Sequence, residues 1–309
     1  MRVNSHVQTH RIKEIFFVVW ILCVILDLPL QAQCGMFCKY SGPPSMRCFG
    51  IARSSDRTMF IVGGDTAAIG TKGYISKITP TGEEKIFVPL SASFIGPGID
   101  VDSTQNIFIA CGSIILKVSP EGRVDTLLQN FRGAFDIKLD RKGNLFIADH
   151  IEDKIYKVTP SLQKSVFIDN HPVSSGSFML GCLCFDKEYN NLYSAEPLKK
   201  MLKKYPINRD GTAGAPDTIL SDGPLIYSFD IDDKGTIYAI DFQRAAIVQI
   251  SGKNQFQYLA SDCMLKDPIG MRISSPGFHL QTIFIADSEG IKELKQNNFP
   301  FSPSDPSKK

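Results

Sequence analysis

Residues 143–160 show most clearly the pattern of short apolar runs separated by polar turns. The runs 145–148 and 154–158 are rich in aromatic and β-branched side chains, which suit a pleated strand. Polar residues 149–153 separate the two runs, and the segment 140–143 before them ends in a glycine that can adopt a positive φ. The pattern predicts strands joined by tight turns, with no helical period.

The same pattern recurs six times along the chain. An aromatic residue in the second strand marks each copy; the markers are Phe60, Phe108, Phe146, Tyr193, Tyr238 and Phe284. Each copy has a first strand before the marker and a third strand after it, and five copies have a fourth. A repeat of this length and strand content predicts an all-β fold, a six-bladed β-propeller of four-stranded antiparallel blades over residues 48–297.

The sixth copy lacks an evident fourth strand. Either residues 36–40 or residues 298–302 must supply it. We favour the N-terminal segment, residues 33–47, because pairing between residues far apart in the chain would lock the ring closed. Residues 298–309 are expected to form a disordered tail.

The first 32 residues have the layout of an export signal. Basic residues precede an apolar run at 15–26, and a polar, proline-containing exit follows at 27–32. The run is short for a membrane-spanning helix, so we expect cleavage near Ala32, with an uncleaved anchor as the alternative. The protein is therefore expected to be secreted or periplasmic, with no membrane association beyond the signal.

Seven cysteines follow the signal: Cys34, Cys38, Cys48, Cys111, Cys182, Cys184 and Cys263. Export favours disulfides, and an odd number leaves at least one thiol free or paired with another chain. A disulfide from Cys34 or Cys38 to Cys263 would fix the N-terminal segment, although the pairing is open. We expect disulfides or plain thiols here rather than zinc, because histidines are few and no Cys-x-x-Cys pair is present.

The charge balance excludes one class of partner. The chain has 34 Lys and Arg residues against 32 Asp and Glu residues. Binding to nucleic acid needs a strong basic excess or a basic stripe, so no nucleic-acid partner is expected. Apolar residues make up 43% of the chain, which is enough for a packed core.

Two segments carry a resemblance to a known family. Residues 143–149, Gly-Asn-Leu-Phe-Ile-Ala-Asp, followed by residues 154–157, Lys-Ile-Tyr-Lys, resemble the NHL repeat, and residues 232–238 and 283–287 fit more loosely. The wider superfamily includes the six-bladed gluconolactonase-like (senescence-marker-protein-like) propellers. The resemblance implies a fold and no single activity, because the members include hydrolases, lyases and non-catalytic binding modules.

The resemblance also implies where a lactonase would hold its metal ion. In those enzymes Glu, Asn and Asp at the starts of first strands bind a divalent cation. The corresponding positions here carry neither carboxylates nor amides; they are Phe49, Pro97, Phe135, Gly181, Tyr227 and Ile269. A standard lactonase site is therefore not evident, and no cofactor is predicted. Calcium or zinc enters only if the chain is a metal-dependent lactonase or esterase with a rearranged site.

Other acidic columns have a structural explanation. Asp102, Asp140 and Asp232 occupy the turn between the first two strands, where Asp side chains bond the turn backbone. A second column ends the marker strands, and we expect a structural use there too; it contains Asp149, Glu196, Asp241 and Asp287. No Gly-x-Ser-x-Gly motif supports a serine hydrolase.

The remaining candidate ligand site is the mouth of the central channel. Its residues are Phe135, Asp136, His150, Tyr227 and Ser228. An aromatic pair beside a carboxylate and hydroxyls suits a small polar-aromatic or cationic ligand, and the alternative is that these side chains only plug the channel. The sequence favours a binding module for an unknown small molecule or protein over an enzyme, and keeps the lactonase or esterase as the alternative.

Overall fold

The aromatic and β-branched runs form strands, and the Asp- and Gly-containing segments between them form turns. The computed structural model describes residues 37–40, 46–65, 73–91, 98–170, 180–260, 265–273 and 282–295. Within these ranges the chain forms 22 β-strands and one short 3-10 helix, Pro197–Lys199. The predicted all-β class and propeller arrangement of small antiparallel sheets are confirmed.

Four of the five sheets contain four strands each. The first comprises β2 (Met46–Arg53), β3 (Met59–Asp65), β4 (Gly73–Ile78) and β5 (Glu84–Leu90). The third comprises β12 (Leu183–Phe185), β13 (Asn191–Glu196), β14 (Met201–Pro206) and β15 (Asp217–Leu220). The fourth comprises β16 (Ile226–Ile231), β17 (Ile237–Asp241), β18 (Ala246–Gly252) and β19 (Gln255–Ala260). The last comprises β20 (Gly270–Ile273), β21 (Thr282–Asp287), β22 (Gly290–Lys295) and β1 (Phe37–Tyr40).

The second sheet has six strands and covers two of the predicted repeats. It comprises β6 (Ile99–Val101), β7 (Ile107–Val118), β8 (Val124–Leu139), β9 (Leu145–Asp149), β10 (Lys154–Val158) and β11 (Lys164–Asp169). The 16-residue β8 pairs with β7 in its first part and with β9 in its second part. No loop interrupts β8 between these parts. The described chain therefore forms five sheets, and the prediction of six separate blades is not confirmed.

The inner strands contact one another in a closed ring. In order, β2 contacts β6, β6 contacts β8, β8 contacts β12, β12 contacts β16, β16 contacts β20, and β20 contacts β2. The ring closes through the last sheet, in which β1 from the N-terminal part of the chain pairs with β22 as the outer strand. The alternative closing segment, residues 298–302, lies outside the described residues.

The marker aromatics lie in the core between neighbouring sheets. Phe146 is completely buried, and the rings of Phe167 and Phe185 pack edge-on against it at centroid distances of 4.9 and 5.1 Å. Such pairs add about 0.5–1.5 kcal/mol each beyond the area they bury. The periodic aromatic residue therefore serves packing between sheets.

The acidic turn column has the structural role predicted for it. Asp140 Oδ1 accepts hydrogen bonds from the backbone N–H groups of Lys142 and Asn144, both at 2.8 Å. Asp102 and Asp232 accept the corresponding backbone bonds in their own turns. These aspartates fix the hairpin between the first two strands of a repeat.

The described cysteines do not support the disulfide prediction. The side chains of Cys48, Cys111, Cys182 and Cys184 are buried, and no disulfide joins them. Other predictions concern residues outside the described part of the chain: the signal at 1–32, the tail at 298–309, Cys34 and Cys263. Within the described part, no helix is long and apolar enough to cross a membrane.

Candidate functional site

Two aromatic residues of the predicted channel mouth lie at β-bulges. The register of β8 with β9 shifts between Ala134 and Asp136, and that of β16 with β17 shifts between Ile226 and Ser228. The skipped residues are Phe135 and Tyr227. A bulge changes the direction of the side chain of its extra residue. The bulges in β8 and β16 therefore place two aromatic side chains at the same end of the circle of inner strands.

These rings belong to a row of four aromatic side chains, which we call the aromatic row. Phe135 lies between His150, at a centroid distance of 5.1 Å, and Tyr227, which packs edge-on at 5.7 Å. Tyr227 then packs against Phe242 at 5.0 Å with 33° between the ring planes. Phe135 and His150 are buried, Tyr227 is half-buried, and Phe242 is 38% exposed. The row therefore runs from the interior to the surface.

The aromatic row is uncharged at neutral pH. Burial lowers the pKa of His150 below its ordinary value of 6.5, although the Asp149 carboxylate opposes this shift. Burial also raises the pKa of Tyr227, and the Cys182 thiol adds to that effect. Both side chains are thus neutral at pH 7, and the row presents apolar ring faces with no formal charge.

Asp136 and Ser228 lie beside the row but are engaged in links between inner strands. The Asp136 carboxylate accepts hydrogen bonds from Lys138 Nζ at 3.0 and 3.2 Å and from the Leu183 backbone N–H at 2.7 Å. Ser228 Oγ accepts a bond from the Met271 backbone N–H at 3.1 Å. The structure therefore brings Phe135, His150 and Tyr227 together, while the two polar candidates connect β8 to β12 and β16 to β20.

This kind of link recurs around the ring. Asp100 Oδ2 in β6 accepts the Leu139 N–H of β8 at 2.8 Å, and Asp230 Oδ2 in β16 accepts the Ile273 N–H of β20 at 2.8 Å. Each carboxylate also accepts the N–H of the residue that follows it. Neighbouring inner strands, which do not pair with each other in a backbone ladder, are consequently joined by side-chain acceptors.

A second site, absent from the sequence predictions, lies where the inner strands end. A cavity of about 300 Å³, which we call the charged cavity, is lined by polar residues of five inner-strand segments. Its principal polar residues are Asp100, Lys138, Cys184, Asp230 and Arg272, and Phe185 and Tyr189 form an aromatic wall. Each of the five pairs directly with a marker aromatic of the second strand. The available sequence signal was a polar residue at this column in five of the six first strands, the exception being Ala52.

The thiol in the charged cavity is not a nucleophile. Burial, followed by the nearby Asp230 carboxylate, raises the pKa of Cys184 well above its ordinary value. The thiol donates a hydrogen bond to Asp230 Oδ1 at 3.1 Å. A protonated, hydrogen-bonded thiol does not attack an electrophile at neutral pH, because the thiolate is the reactive form.

The acids that end the marker strands have structural partners. Asp149 and Asp241 each accept two backbone N–H bonds from the residues that follow them. Glu196 is fully buried and pairs with Lys199 at 2.8 Å and Lys203 at 2.6 Å. Within the described ranges, no group of three or more His, Cys, Asp or Glu residues is placed to hold a metal ion.

A larger groove lies away from the channel. It has a volume of about 840 Å³ and runs along the outer hairpin formed by β18 and β19, with Tyr193 and Ile219 on its other side. Its polar lining comes mainly from side chains of the solvent-facing hairpin. We therefore place the candidate chemistry at the channel, where buried polar groups of several sheets converge.

The burial of His150 makes the stability of the fold dependent on pH. Its pKa is lowered in the folded state, so the unfolded chain binds the proton first as the pH falls below 6.5. The resulting loss of stability begins near pH 6.5 and is complete once the pH is below the folded pKa. We expect urea unfolding at pH 7.5 and 5.5 to show a larger loss for the wild type than for His150→Gln. An equal loss in both proteins would contradict this assignment.

Comparison with solved structures supports the gluconolactonase-like β-propeller fold. A gluconolactonase from Xanthomonas campestris superposes with a TM-score of 0.67 at 15% identity, over 87% of this chain and 93% of the enzyme. The luciferin-regenerating enzyme gives 0.63 at 12% identity, over 84% and 93% of the two chains. Virginiamycin B lyase from Staphylococcus aureus gives 0.56 at 14% identity, over 82% and 96%.

These similarities establish the fold and not the activity. No protein-family model matches the sequence, and no curated protein matches it. The NHL assignment made from the repeat residues is therefore not confirmed. The three structural neighbours catalyse different kinds of reaction according to their names, so the shared architecture does not select one chemistry for this chain.

Proposed function

We propose that this protein is a non-catalytic binding module that holds an uncharged, planar ligand against the aromatic row. The observation that supports the proposal is the continuous packing from His150 through Phe135 and Tyr227 to the exposed ring of Phe242. Its inner members are buried and fixed, and its outer member offers a ring face to solvent. Aromatic rings gain most from offset or edge-on contact with another flat, apolar group.

The charges around the row favour an uncharged ligand over a cation. Among the five residues predicted for the channel mouth, the carboxylate is that of Asp136, which is already paired with Lys138. Its backbone partners are also in place, so no carboxylate of that set remains to neutralise a bound cation. An uncharged polar-aromatic molecule would contact the rings without the cost of burying an unpaired charge.

The rings also argue for a binding role over hydrolysis. A hydrolase needs an activated nucleophile or a metal-bound water close to a general base. In the described residues the row supplies a neutral histidine packed against the Phe135 ring, and no three-ligand metal cluster accompanies it. A metal-dependent lactonase with a rearranged site is the alternative, and its support is the fold shared with lactonase structures. Export remains a proposal from residues 1–32.

The test is a titration with N-phenyl-1-naphthylamine, an uncharged aromatic probe whose fluorescence rises in apolar sites. We expect saturable binding to the wild-type protein and about tenfold weaker binding to Phe242→Ala, from the loss of one aromatic contact and its buried area. Phe256→Ala is the matched control: Phe256 is 40% exposed, close to the 38% of Phe242, and packs against Tyr258 away from the row. Its affinity should equal that of the wild type.

Two results would overturn the proposal. One is an equal loss of affinity in both variants, which would show that the probe binds exposed rings without selection. The other is hydrolysis of simple lactones by the purified protein with calcium or zinc, abolished by a chelator. That result would establish the enzymatic alternative.

A further inference from the structure

The charged cavity holds more charge than its internal pairs neutralise. Lys138 Nζ donates to both oxygens of Asp136 and to the Ile137 carbonyl, so its three donors are engaged. At the rim, Lys187 lies 4.0 Å from Asp233. Asp186, also in the lining, accepts three hydrogen bonds from Asn190 and Asn191 in its own turn. The other charged residues, Asp100, Asp230 and Arg272, come from three different sheets.

Arg272 faces the two carboxylates without a direct ion pair. Among the described residues, its guanidinium forms no ion pair with Asp100 or Asp230, although both carboxylates act on it electrostatically. Its nitrogens donate to the carbonyls of Met271 at 3.0 Å and Ile99 at 3.4 Å, which leaves three of the five N–H donors of a guanidinium. The positive and negative groups are thus held on different parts of the cavity wall.

The three groups interact electrostatically across this space. Burial acts to lower the pKa of Arg272, but the carboxylates of Asp230 and Asp100 outweigh it and the pKa is raised. Burial raises the pKa of Asp100, with Lys138 and Arg272 opposing the shift. A ligand that brought a positive group to the carboxylates and a negative group to the guanidinium would offset the free-energy cost of burying these three charges.

The backbone holds these groups in place before any ligand arrives. Asp100 accepts N–H bonds from Val101 and Leu139, and Asp230 accepts them from Ile231 and Ile273. Because the bonds from Leu139 and Ile273 join neighbouring inner strands, the carboxylates cannot swing toward Arg272 without breaking links between those strands. Fixed charges that do not collapse onto one another are a property of preorganised binding sites.

We propose that the charged cavity binds a small zwitterion of the α-amino-acid class, with its ammonium group between Asp100 and Asp230 and its carboxylate on Arg272. A guanidinium suits a carboxylate because it donates two parallel hydrogen bonds. The rings of Phe185 and Tyr189, 5.0 Å apart, form an apolar wall for the carbon skeleton. The volume of about 300 Å³ suits a molecule of this size.

The site is independent of the aromatic row. It lies at the opposite end of the inner strands. Its ligand carries charges of both signs, whereas the ligand proposed for the row is uncharged. A simple cation would meet Arg272, and a simple anion would meet two carboxylates. Only a ligand with both charges satisfies the whole lining.

The test is isothermal titration calorimetry of the purified protein with L-leucine and with two analogues that each lack one charged group. 3-Methylbutan-1-amine lacks the carboxylate and 4-methylpentanoate lacks the ammonium group. We expect one L-leucine per chain and at least about tenfold weaker binding of both analogues, since each loses a charge-assisted hydrogen bond. L-Alanine should bind by the same two groups with less contribution from the aromatic wall.

Variants identify the residues. Arg272→Lys keeps the buried positive charge but loses the two-pronged contact. Asp230→Asn removes the negative charge and keeps an oxygen acceptor for one of the two backbone links of Asp230. We expect each to weaken L-leucine binding at least about tenfold. Arg123→Gln is the distant control, because its side chain is 78% exposed and pairs with Asp125 outside the charged cavity. Thermal unfolding of each variant confirms that it is folded.

Several outcomes would overturn the inference. They are absence of heat with both amino acids, an analogue that binds as tightly as L-leucine, or unchanged binding in folded Arg272→Lys and Asp230→Asn. Phe242→Ala should bind L-leucine normally, so failure at the charged cavity and failure at the aromatic row are separate results.

Discussion

Asp136→Ala is expected to lower the free energy of unfolding by about 3–5 kcal/mol, the usual cost of removing one partner from a buried ion pair. The side chains of Asp136 and Lys138 are 1% and 8% exposed and lie 3.0 Å apart. Removal of the carboxylate leaves the Lys138 charge buried and the Leu183 backbone N–H without its acceptor. Urea unfolding followed by circular dichroism measures the change.

A double-mutant cycle separates the ion pair from general damage to the core. Lys138→Met alone leaves Asp136 with its backbone donors and should cost less than Asp136→Ala. Asp136→Ala combined with Lys138→Met removes both charges and should recover much of the stability lost in Asp136→Ala, because no buried charge remains. Strict additivity of the two single changes would show that the pair does not act as a unit.

The expected destabilisation makes Asp136 a poor position for testing ligand binding at the channel mouth. A variant of Asp136 that loses ligand binding would do so through a weakened link between β8 and β12, whether or not the carboxylate touches a ligand. Phe242 is the better probe, since its ring is partly exposed and its removal leaves no buried charge. The distinction depends on the hydrogen-bond partners of Asp136, which only the three-dimensional structure provides.

The sequence was sufficient for the strands and for the shared position of Phe135 and Tyr227 in the repeat, while their role as a ligand site stays a prediction. The marker aromatics, such as Phe146, pack between sheets. Every repeat needs this contact, so the aromatic residue recurs in each copy and is visible in the sequence. Phe135 and Tyr227 were found because they occupy one column of that repeat. Their contact across two sheets follows from ring closure and the two bulges, and alignment of the repeat places them correctly without showing that they touch.

The sequence was not sufficient for the number of sheets or for the charged cavity. Continuous pairing through β8 depends on how the chain between Gln129 and Ala134 crosses from one repeat to the next, and local composition does not determine it. In the cavity, Asp100 and Arg272 are 172 residues apart in the sequence numbering, with polar residues between them at the same column of the repeat. Alternation predicts that such residues share a face of a strand; it does not show that they converge at the axis.

Gly98→Ala is expected to destabilise the fold by about 3 kcal/mol or more, at the upper end of the cost of overpacking. A Cβ atom at Gly98 would lie 2.6 Å from the Phe135 carbonyl oxygen, 2.7 Å from the Asp136 Cα and 2.8 Å from the Ala110 Cβ. Two of these atoms are backbone and cannot rotate away. The backbone N–H of Gly98 also donates to the Phe135 carbonyl at 3.2 Å, so the shift that relieves the clash would strain a link between inner strands.

The matched control is Gly252→Ala. A Cβ atom at Gly252 would lie 3.1 Å from the side-chain oxygen of Gln255, which is the flexible end of a side chain. The stability of this variant should change by no more than about 0.5 kcal/mol, as for other surface substitutions. Gly270 repeats the geometry of Gly98 at another inner strand, since a Cβ atom there would lie 2.8 Å from the Phe49 carbonyl oxygen, so Gly270→Ala should resemble Gly98→Ala. Equal stability of Gly98→Ala and Gly252→Ala would mean that the inner strands can separate without loss. In that case the positions of Asp136 and Phe135, and the channel sites that depend on them, would not be fixed by close contact at the axis.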